Sequence, residues 1–259
     1  MLNLSELTDK VRALAIEAGD FIREERKKFH REAIEKKHAH DYVSYVDKES
    51  EKKIVTRLKE LLPEAGFIAE EGSGTLNDEQ YCWLVDPLDG TTNFIHDNAP
   101  YCVSIALRSK KELLLGVVYE ICRDECFWTY KGAPSYLNGN EIHVSAISNL
   151  DDSFIALGFP YATEEYKPMA NHLVNTLYGN VAGLRLMGAA AVRIVLYCSR
   201  KVRSTYRSFY WSMGYRCRNN YSAKCRRYDY RLQGRRFLFL WFTGSGFKRK
   251  NPSRFVEYN

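Results

Sequence analysis

No apolar run in this 259-residue sequence approaches the ~18 residues that a membrane-spanning helix needs, which excludes a helical membrane protein. The N-terminal stretch MLNLSELTDKVRAL is polar and amphipathic and lacks the apolar segment of a secretory leader. Cysteines number seven, an odd count, and are scattered without a disulfide framework. Cys122 and Cys126 stand four positions apart with no second pair nearby, so zinc is not expected and both read as buried thiols. A reducing cytoplasm fits these absences.

Acids are what the end of the chain lacks. From Arg193 to Asn259 only Asp229 and Glu257 are acidic, against 17 Lys and Arg. The whole chain has 38 bases and 32 acids, so residues 1–192 hold 21 and 30 of them. The overall charge of +6 therefore averages −9 before Arg193 and +15 after Val192. Such asymmetry within one chain has two readings: a nucleic-acid-binding appendix, or a segment never selected as protein.

Before that point the pattern is orderly. Leu4, Leu7, Val11, Leu14, Ala18 and Phe21 recur at helical spacing, and Asn3 with Glu6 resembles a capping box. A second helix is expected over 48–62, closed by Pro63 and Gly66. GFIAEE and YCWLVDP read as short buried strands ending in acids, and YCVSIALRSKKELLLGVVYE as a hairpin turning at Ser109–Lys111. Strands follow in ECFWTYKG and EIHVS, with a turn at Asn138-Gly139-Asn140. Residues 163–178 look helical, and LMGAAAV opens another helix. Helices alternating with antiparallel hairpins imply a layered α/β fold.

The chemistry concentrates in CWLVDPLDGTTNFIH, residues 82–96. Asp86 and Asp89, held around Pro87 at the end of an apolar strand, offer the hard oxygen ligands that Mg²⁺ prefers. Gly90-Thr91-Thr92-Asn93 suits a helix N-terminus, where free backbone N–H groups favour a phosphate. Glu70 and Glu71 end the preceding strand and are further candidate ligands. His38 and His40, in a Lys-rich loop, read as solvated rather than as a metal pair, and His96 as a helix-surface residue. Lys36 and Lys37 either attract an anionic substrate or form part of that solvated loop.

WLVDPLDGTTNFIH resembles the signature of the inositol monophosphatase family. GFIAEE resembles its upstream glutamate motif and DYVSYVDKESE its D-L-V-T-x-x-D segment. LGFPYA resembles its middle segment and LRLMGAAAV its substrate-side G-[ST]-A-A motif. The resemblance runs in order over roughly residues 5–192. It implies an α-β-α-β-α sandwich of the inositol monophosphatase and fructose-1,6-bisphosphatase type, and hydrolysis of a small polyol or sugar phosphate such as myo-inositol 1-phosphate. It also implies two or three Mg²⁺ ions held by Glu70, Asp86, Asp89 and the Leu88 carbonyl. Asp47 and Thr91, with Glu70, would orient and deprotonate the attacking water; Gly90 and Thr91 amides would hold the phosphate. Gly188, Ala189 and Ala190 would lie beside the substrate, with Glu71 supporting the site. Homodimers are common in the family. A 3′(2′),5′-bisphosphate nucleotidase is the neighbouring alternative, but that branch tends to carry a charged pair after D-G-T, where this chain has Thr92-Asn93-Phe94. The signature alone leaves fructose-1,6-bisphosphatase activity open.

One family element has no counterpart: a later W-D-x-A-A-G segment whose aspartate completes the second metal site. Back-translated and read one base later, WSMGYRCRN (211–219) yields GPWDIAAGT under permitted codons, with the Gly and Trp forced by the Trp211 and Met213–Gly214 codons. From Arg193 the same shift can give ELCYIAAGRFD, and the residues after Asn219 can give an IILQSAGG continuation, under permitted codons. Residues 1–192 thus read as a phosphatase-type domain and 193–259 as its C-terminal part in another frame. Arg and Tyr interleave in that tail as they do in single-strand nucleic-acid binders. The frame shift makes this an accident of coding, so no nucleic-acid partner is expected. The apolar run FLFLWF is an aggregation hazard where exposed.

Overall fold

The computed structural model describes residues 2–30, 34–38, 41–73, 79–110, 112–147, 149–159, 163–199, 228–232 and 235–239. Helix α1 (Leu4–Lys28) starts at Asn3, whose side chain accepts the Glu6 N–H, while the Glu6 carboxylate meets the Asn3 side-chain amide rather than its backbone. The expected capping box at this end is therefore only half formed. Strands β1 (Ile34–His38) and β2 (Asp41–Ser44) make an antiparallel hairpin that the sequence pattern did not announce. His40 lies outside the described residues. Helix α2 (Tyr45–Leu61) begins three residues earlier than its apolar stripe predicts. A complete capping box sets this start: Ser44 Oγ takes the Val46 N–H, and the Asp47 carboxylate takes the Ser44 backbone N–H.

β3 (Ala65–Ala69), β4 (Tyr81–Asp89), the short helix α3 (Thr91–Ile95) and β5 (Cys102–Ser109) follow. They continue into β6 (Leu113–Glu120), β7 (Glu125–Tyr130), β8 (Ser135–Leu137) and β9 (Asn140–Ile142). The seven strands form one sheet in chain order, antiparallel except for the parallel β3–β4 pair. The predicted hairpin of 101–120 and the turn at Asn138–Gly139 are both present. GFIAEE leaves the strand at Ala69, so Glu70 and Glu71 sit in the turn beyond it.

β10 (Phe154–Leu157), α4 (Thr163–Leu177), β11 (Gly183–Leu186) and α5 (Ala190–Cys198) complete the ordered layers, with β10 and β11 paired in parallel. β12 (Tyr228–Leu232) and β13 (Arg235–Phe239) pair as an antiparallel ladder in the tail, where no element was expected. The segment 211–219 lies outside the described residues.

Alternation along the strands sorts the core into layers. Val103, Ile105, Leu107, Trp83 and Val85 face α1 and α2 through Val11, Ile22, Ile54 and Leu58. On the other face Cys102, Val118 and Phe127 meet Ala191, Val192 and Leu196 of α5, and Phe154 and Ala156 of β10 cover that helix from beyond. Ile155 and Leu157, the alternate residues of β10, turn away toward Leu177 of α4. The order is helix, sheet, helix, sheet, helix, as the resemblance implies. Each fully buried Ile, Leu or Phe side chain adds about 1.5–3 kcal/mol to this packing. No described helix is long and apolar enough to cross a membrane. Cys126 is buried, but Cys122 is exposed at the β6–β7 turn, which corrects its reading as a core thiol.

Gly19 lets α1 lie close against the sheet: a Cβ there would overlap the Tyr119 ring. Tyr119 cannot yield easily, because its hydroxyl donates to Asp124 and accepts from Arg23. A Gly→Ala change inside a helix ordinarily gains about 1 kcal/mol. Gly19→Ala is expected instead to cost about 1–3 kcal/mol through overpacking, read as a lower urea midpoint at unchanged slope.

Candidate active site

A β-bulge builds the acidic centre. Asp86 pairs with Ser104 and Asp89 with Cys102, so Pro87 and Leu88 together oppose Val103 alone. Without the extra residue, period-two alternation would turn Asp86 and Asp89 to opposite faces. With it, Leu88 drops into the core against α1 and α2 while Asp89 joins Asp86 on the face toward α5. Glu70 reaches the same face from the parallel neighbour: Ala69 pairs with Val85, and the Glu70 N–H donates to the Val85 carbonyl at 3.2 Å.

Asp86 and Glu70 share a side-chain hydrogen bond, and burial followed by the Glu70 and Asp89 charges pushes the Asp86 carboxyl well above the ordinary range. Burial raises Asp89 as well, opposed by two backbone N–H groups. Those donors come from Ala190 (2.9 Å) and Ala191 (2.7 Å), the first turn of α5. The α5 N-cap residue is Ala189, which has no side chain able to cap. Asp89, a hundred residues away, supplies the missing acceptor. Cys102 Sγ also leans on Asp89 at 3.6 Å, and its thiol is pushed well up by burial and then by that charge.

Asp47 stands in the first turn of α2 and is buried. Its Oδ2 accepts from Ser44 N (2.9 Å) and Ser44 Oγ (2.6 Å); its Oδ1 accepts from Thr91 Oγ1 at 2.8 Å. Burial raises the Asp47 carboxyl, and the hydrogen bonds from Ser44 and Thr91 hold it back. Thr91 Oγ1 also lies 3.0 Å from the Leu88 carbonyl, but one hydroxyl proton serves one acceptor at a time, and the charged one is nearer. Phe94, fully buried against Tyr101 and Phe29, anchors α3 below this dyad.

Gly90 opens α3 at φ +94°, and a Cβ there would lie 3.1 Å from both the Ala189 Cβ and the Pro100 carbonyl. Only glycine meets both conditions. The expected substrate-side residues are therefore close: Ala189 is buried against the phosphate-loop candidate, while Gly188 and Ala190 are exposed. Glu71 donates its backbone N–H to Glu51, and His96 is exposed at the end of α3.

Three contributors escaped the sequence reading. Ser44 was legible in principle, since S-x-x-D before an apolar stripe is a helix-start pattern. Asn93 lay inside the quoted motif, but nothing local announces that its side chain bridges to residue 187. Glu51, fully buried one turn after Asp47, accepts the backbone N–H groups of Glu71 and Ser73 and so fixes the turn that carries Glu70. For a magnesium site at Glu70, Glu51→Ala is expected to raise the magnesium concentration that gives half the thermal stabilisation by roughly tenfold, the usual scale for a residue that orients a ligand. An unchanged midpoint would mean the turn holds without it.

A family model described as the inositol monophosphatase family matches residues 3–218, continuing past Val192. A Pseudomonas aeruginosa protein named Nus factor SuhB is 36% identical over 165 residues, 62% of this chain and 61% of that protein. The matched segment thus spans about three fifths of that relative. A protein of Aquifex aeolicus named fructose-1,6-bisphosphatase/inositol-1-monophosphatase is 31% identical over 196 residues, 76% of this chain and 74% of its own length. The solved structure of the extragenic suppressor protein suhB from Bartonella henselae superposes with a TM-score of 0.71 at 30% identity, covering 76% of each chain. With the fold, the acidic bulge and the G-T-T-N turn in place, this chain belongs to the inositol monophosphatase family.

Proposed function

We propose that the site hydrolyses a phosphate monoester of a small polyol or sugar, myo-inositol 1-phosphate being the leading candidate, with Mg²⁺ as cofactor. The observation that carries the reading is the Asp47–Thr91 dyad at 2.8 Å beside the Glu70–Asp86 pair. Because its proton goes to Asp47, Thr91 Oγ1 keeps a lone pair free to accept a hydrogen bond from water. Asp47, already drawn toward its protonated form by burial, is suited to receive a proton relayed through that hydroxyl. The amides of Gly90 and Thr91 are placed to bind phosphate oxygens, and Gly188 to Ala190 to meet the alcohol portion.

Among the described residues no three acid, histidine or cysteine side chains are already gathered as a ready metal cluster. The donor chemistry nevertheless fits a hard dication: crowded, buried carboxylates raise one another's proton affinity, and a cation relieves that repulsion. Glu70, Asp86, Asp89 and the Leu88 carbonyl are the groups that would hold two or three such ions. When bound, these ions neutralise phosphate charge and acidify the attacking water.

Residues 193–259 are proposed to be the C-terminal part read out of frame, leaving the second ion short of one aspartate. Helix α5 nevertheless runs on to Cys198, with Leu196 buried, so local order does not break at Val192. The test is a side-by-side assay of phosphate release by this chain and by its frame-restored counterpart, with magnesium and with chelator. Absence of magnesium-dependent release from both would remove the phosphatase reading. The name of the Aquifex relative favours fructose-1,6-bisphosphate as the second substrate to include. The Nus factor name belongs to the Pseudomonas protein.

A further inference from the structure

The phosphate-loop candidate and the strap before α5 are joined by one side chain that has no role in the reading above. Asn93 Nδ2 donates to the Pro100 carbonyl at 2.7 Å and to the Met187 carbonyl at 2.7 Å. A carboxamide nitrogen has two protons, so both are used and neither can be spared. The next residue of the strap, Gly188, has φ +72°, and a Cβ there would lie 2.6 Å from Asn93 Oδ1 and 2.7 Å from Nδ2. Glycine is thus required at 188 both by its backbone and by the seat of Asn93. Two residues on, the Ala190 and Ala191 N–H groups are held by Asp89. The strap is fastened at its start by Asn93 and at its end by Asp89, with Ala189 pressed on Gly90 between them.

We propose that Asn93 is a positioning residue that clamps the Met187–Ala190 strap against the Gly90–Thr91 loop and so sets how tightly the alcohol portion of the substrate is held. The structural half stands on the hydrogen bonds alone; the substrate half rests on the phosphatase reading. Loss of the clamp frees the strap without disturbing α3, whose buried Phe94 anchor lies on the opposite side. Substrate affinity then falls for ligands that reach the strap but not for phosphate alone.

The test uses the full chain and the variants Asn93→Ala and Asn93→Asp. The aspartate keeps the shape but faces two carbonyls with no donor, so it is expected to exceed alanine in effect. Hydrogen exchange of peptides covering 187–198 should accelerate by about tenfold, while peptides of α1 and β4–β6 keep wild-type protection. Unchanged exchange at 187–198 overturns the clamp. A uniform loss of protection also overturns it, because Asn93 would then be a general folding residue. Calorimetry with magnesium compares inorganic phosphate with the non-hydrolysable phosphonate analogue of inositol 1-phosphate. Asn93→Ala is expected to weaken the analogue about tenfold and phosphate less than twofold; equal weakening of both overturns the positioning role. If neither the parent chain nor its frame-restored counterpart binds either ligand, the phosphatase reading and the substrate half fail together, and the exchange result alone decides the clamp.

Discussion

With residues 193–259 exchanged for the sequence encoded one base later, magnesium-dependent release of phosphate from myo-inositol 1-phosphate is expected to rise by roughly a thousandfold, the scale on which one preorganised charged partner acts in a transition state. The described structure explains why the deficit should be large yet local. Asp47, Asp86 and Thr91 stand on α2, β4 and α3, and Glu70 in the turn after β3, all of them before Val192. The donors that hold Asp89, the Ala190 and Ala191 N–H groups, also precede Arg193 and are common to both frames. What the proposed frame would add is the aspartate of GPWDIAAGT, which permitted codons place across Gly214 and Tyr215. Phosphate monoesters hydrolyse extremely slowly without help, so a centre short of one ligand loses most of its rate. Asp86→Asn in the restored chain should return release to the chelator background. The family match continues to residue 218, which makes the opposite result meaningful. Equal rates from the two chains would show that residues 193–218 serve as they are, and an independently confirmed frame across codon 192 would end the proposal.

Legibility differed along the chain for physical reasons. Long apolar stripes and alternating strands announce themselves, so α1, β4 and the β5–β6 hairpin lie where the pattern places them. The start of α2 did not, because a cap is a local side-chain bond that apolar periodicity ignores, and Ser44 and Asp47 make it. The β1–β2 hairpin was missed because its residues, IEKKH and DYVS, carry almost no apolar alternation. The acidic residues of the site were readable as a motif, but not the bulge that turns Asp89 beside Asp86. Nor could spacing reveal that Asp89 caps α5 or that Asn93 reaches Met187, since both bonds join residues more than ninety positions apart.

Asp86→Asn should also separate stability from function in the chain as it stands. Without metal, Asp86 is crowded by Glu70 and Asp89, and burial with their charges holds its carboxyl well above the ordinary range. A carboxyl whose folded pKa exceeds its unfolded one binds more protons when folded. Stability then falls as pH rises from the unfolded value near 4 through the folded one. Above the unfolded value the metal-free protein therefore bears a cost at Asp86, either as proton uptake on folding or as a crowded anion, and a neutral amide of the same shape avoids both. The expected result is a Tm about 3 °C higher in chelator, the shift that roughly 1 kcal/mol gives a domain of this size. The decline in stability between pH 4 and 7 should flatten in the variant. Magnesium should act in the opposite sense, raising the Tm of the parent and leaving the variant nearly unmoved, because binding stabilises only the state that binds. A lower Tm for Asp86→Asn in chelator at pH 7 would show that Asp86 serves the fold rather than a cation. A higher Tm for the variant in chelator together with a loss of the magnesium response would be the joint signature of the proposed cation among Glu70, Asp86 and Asp89.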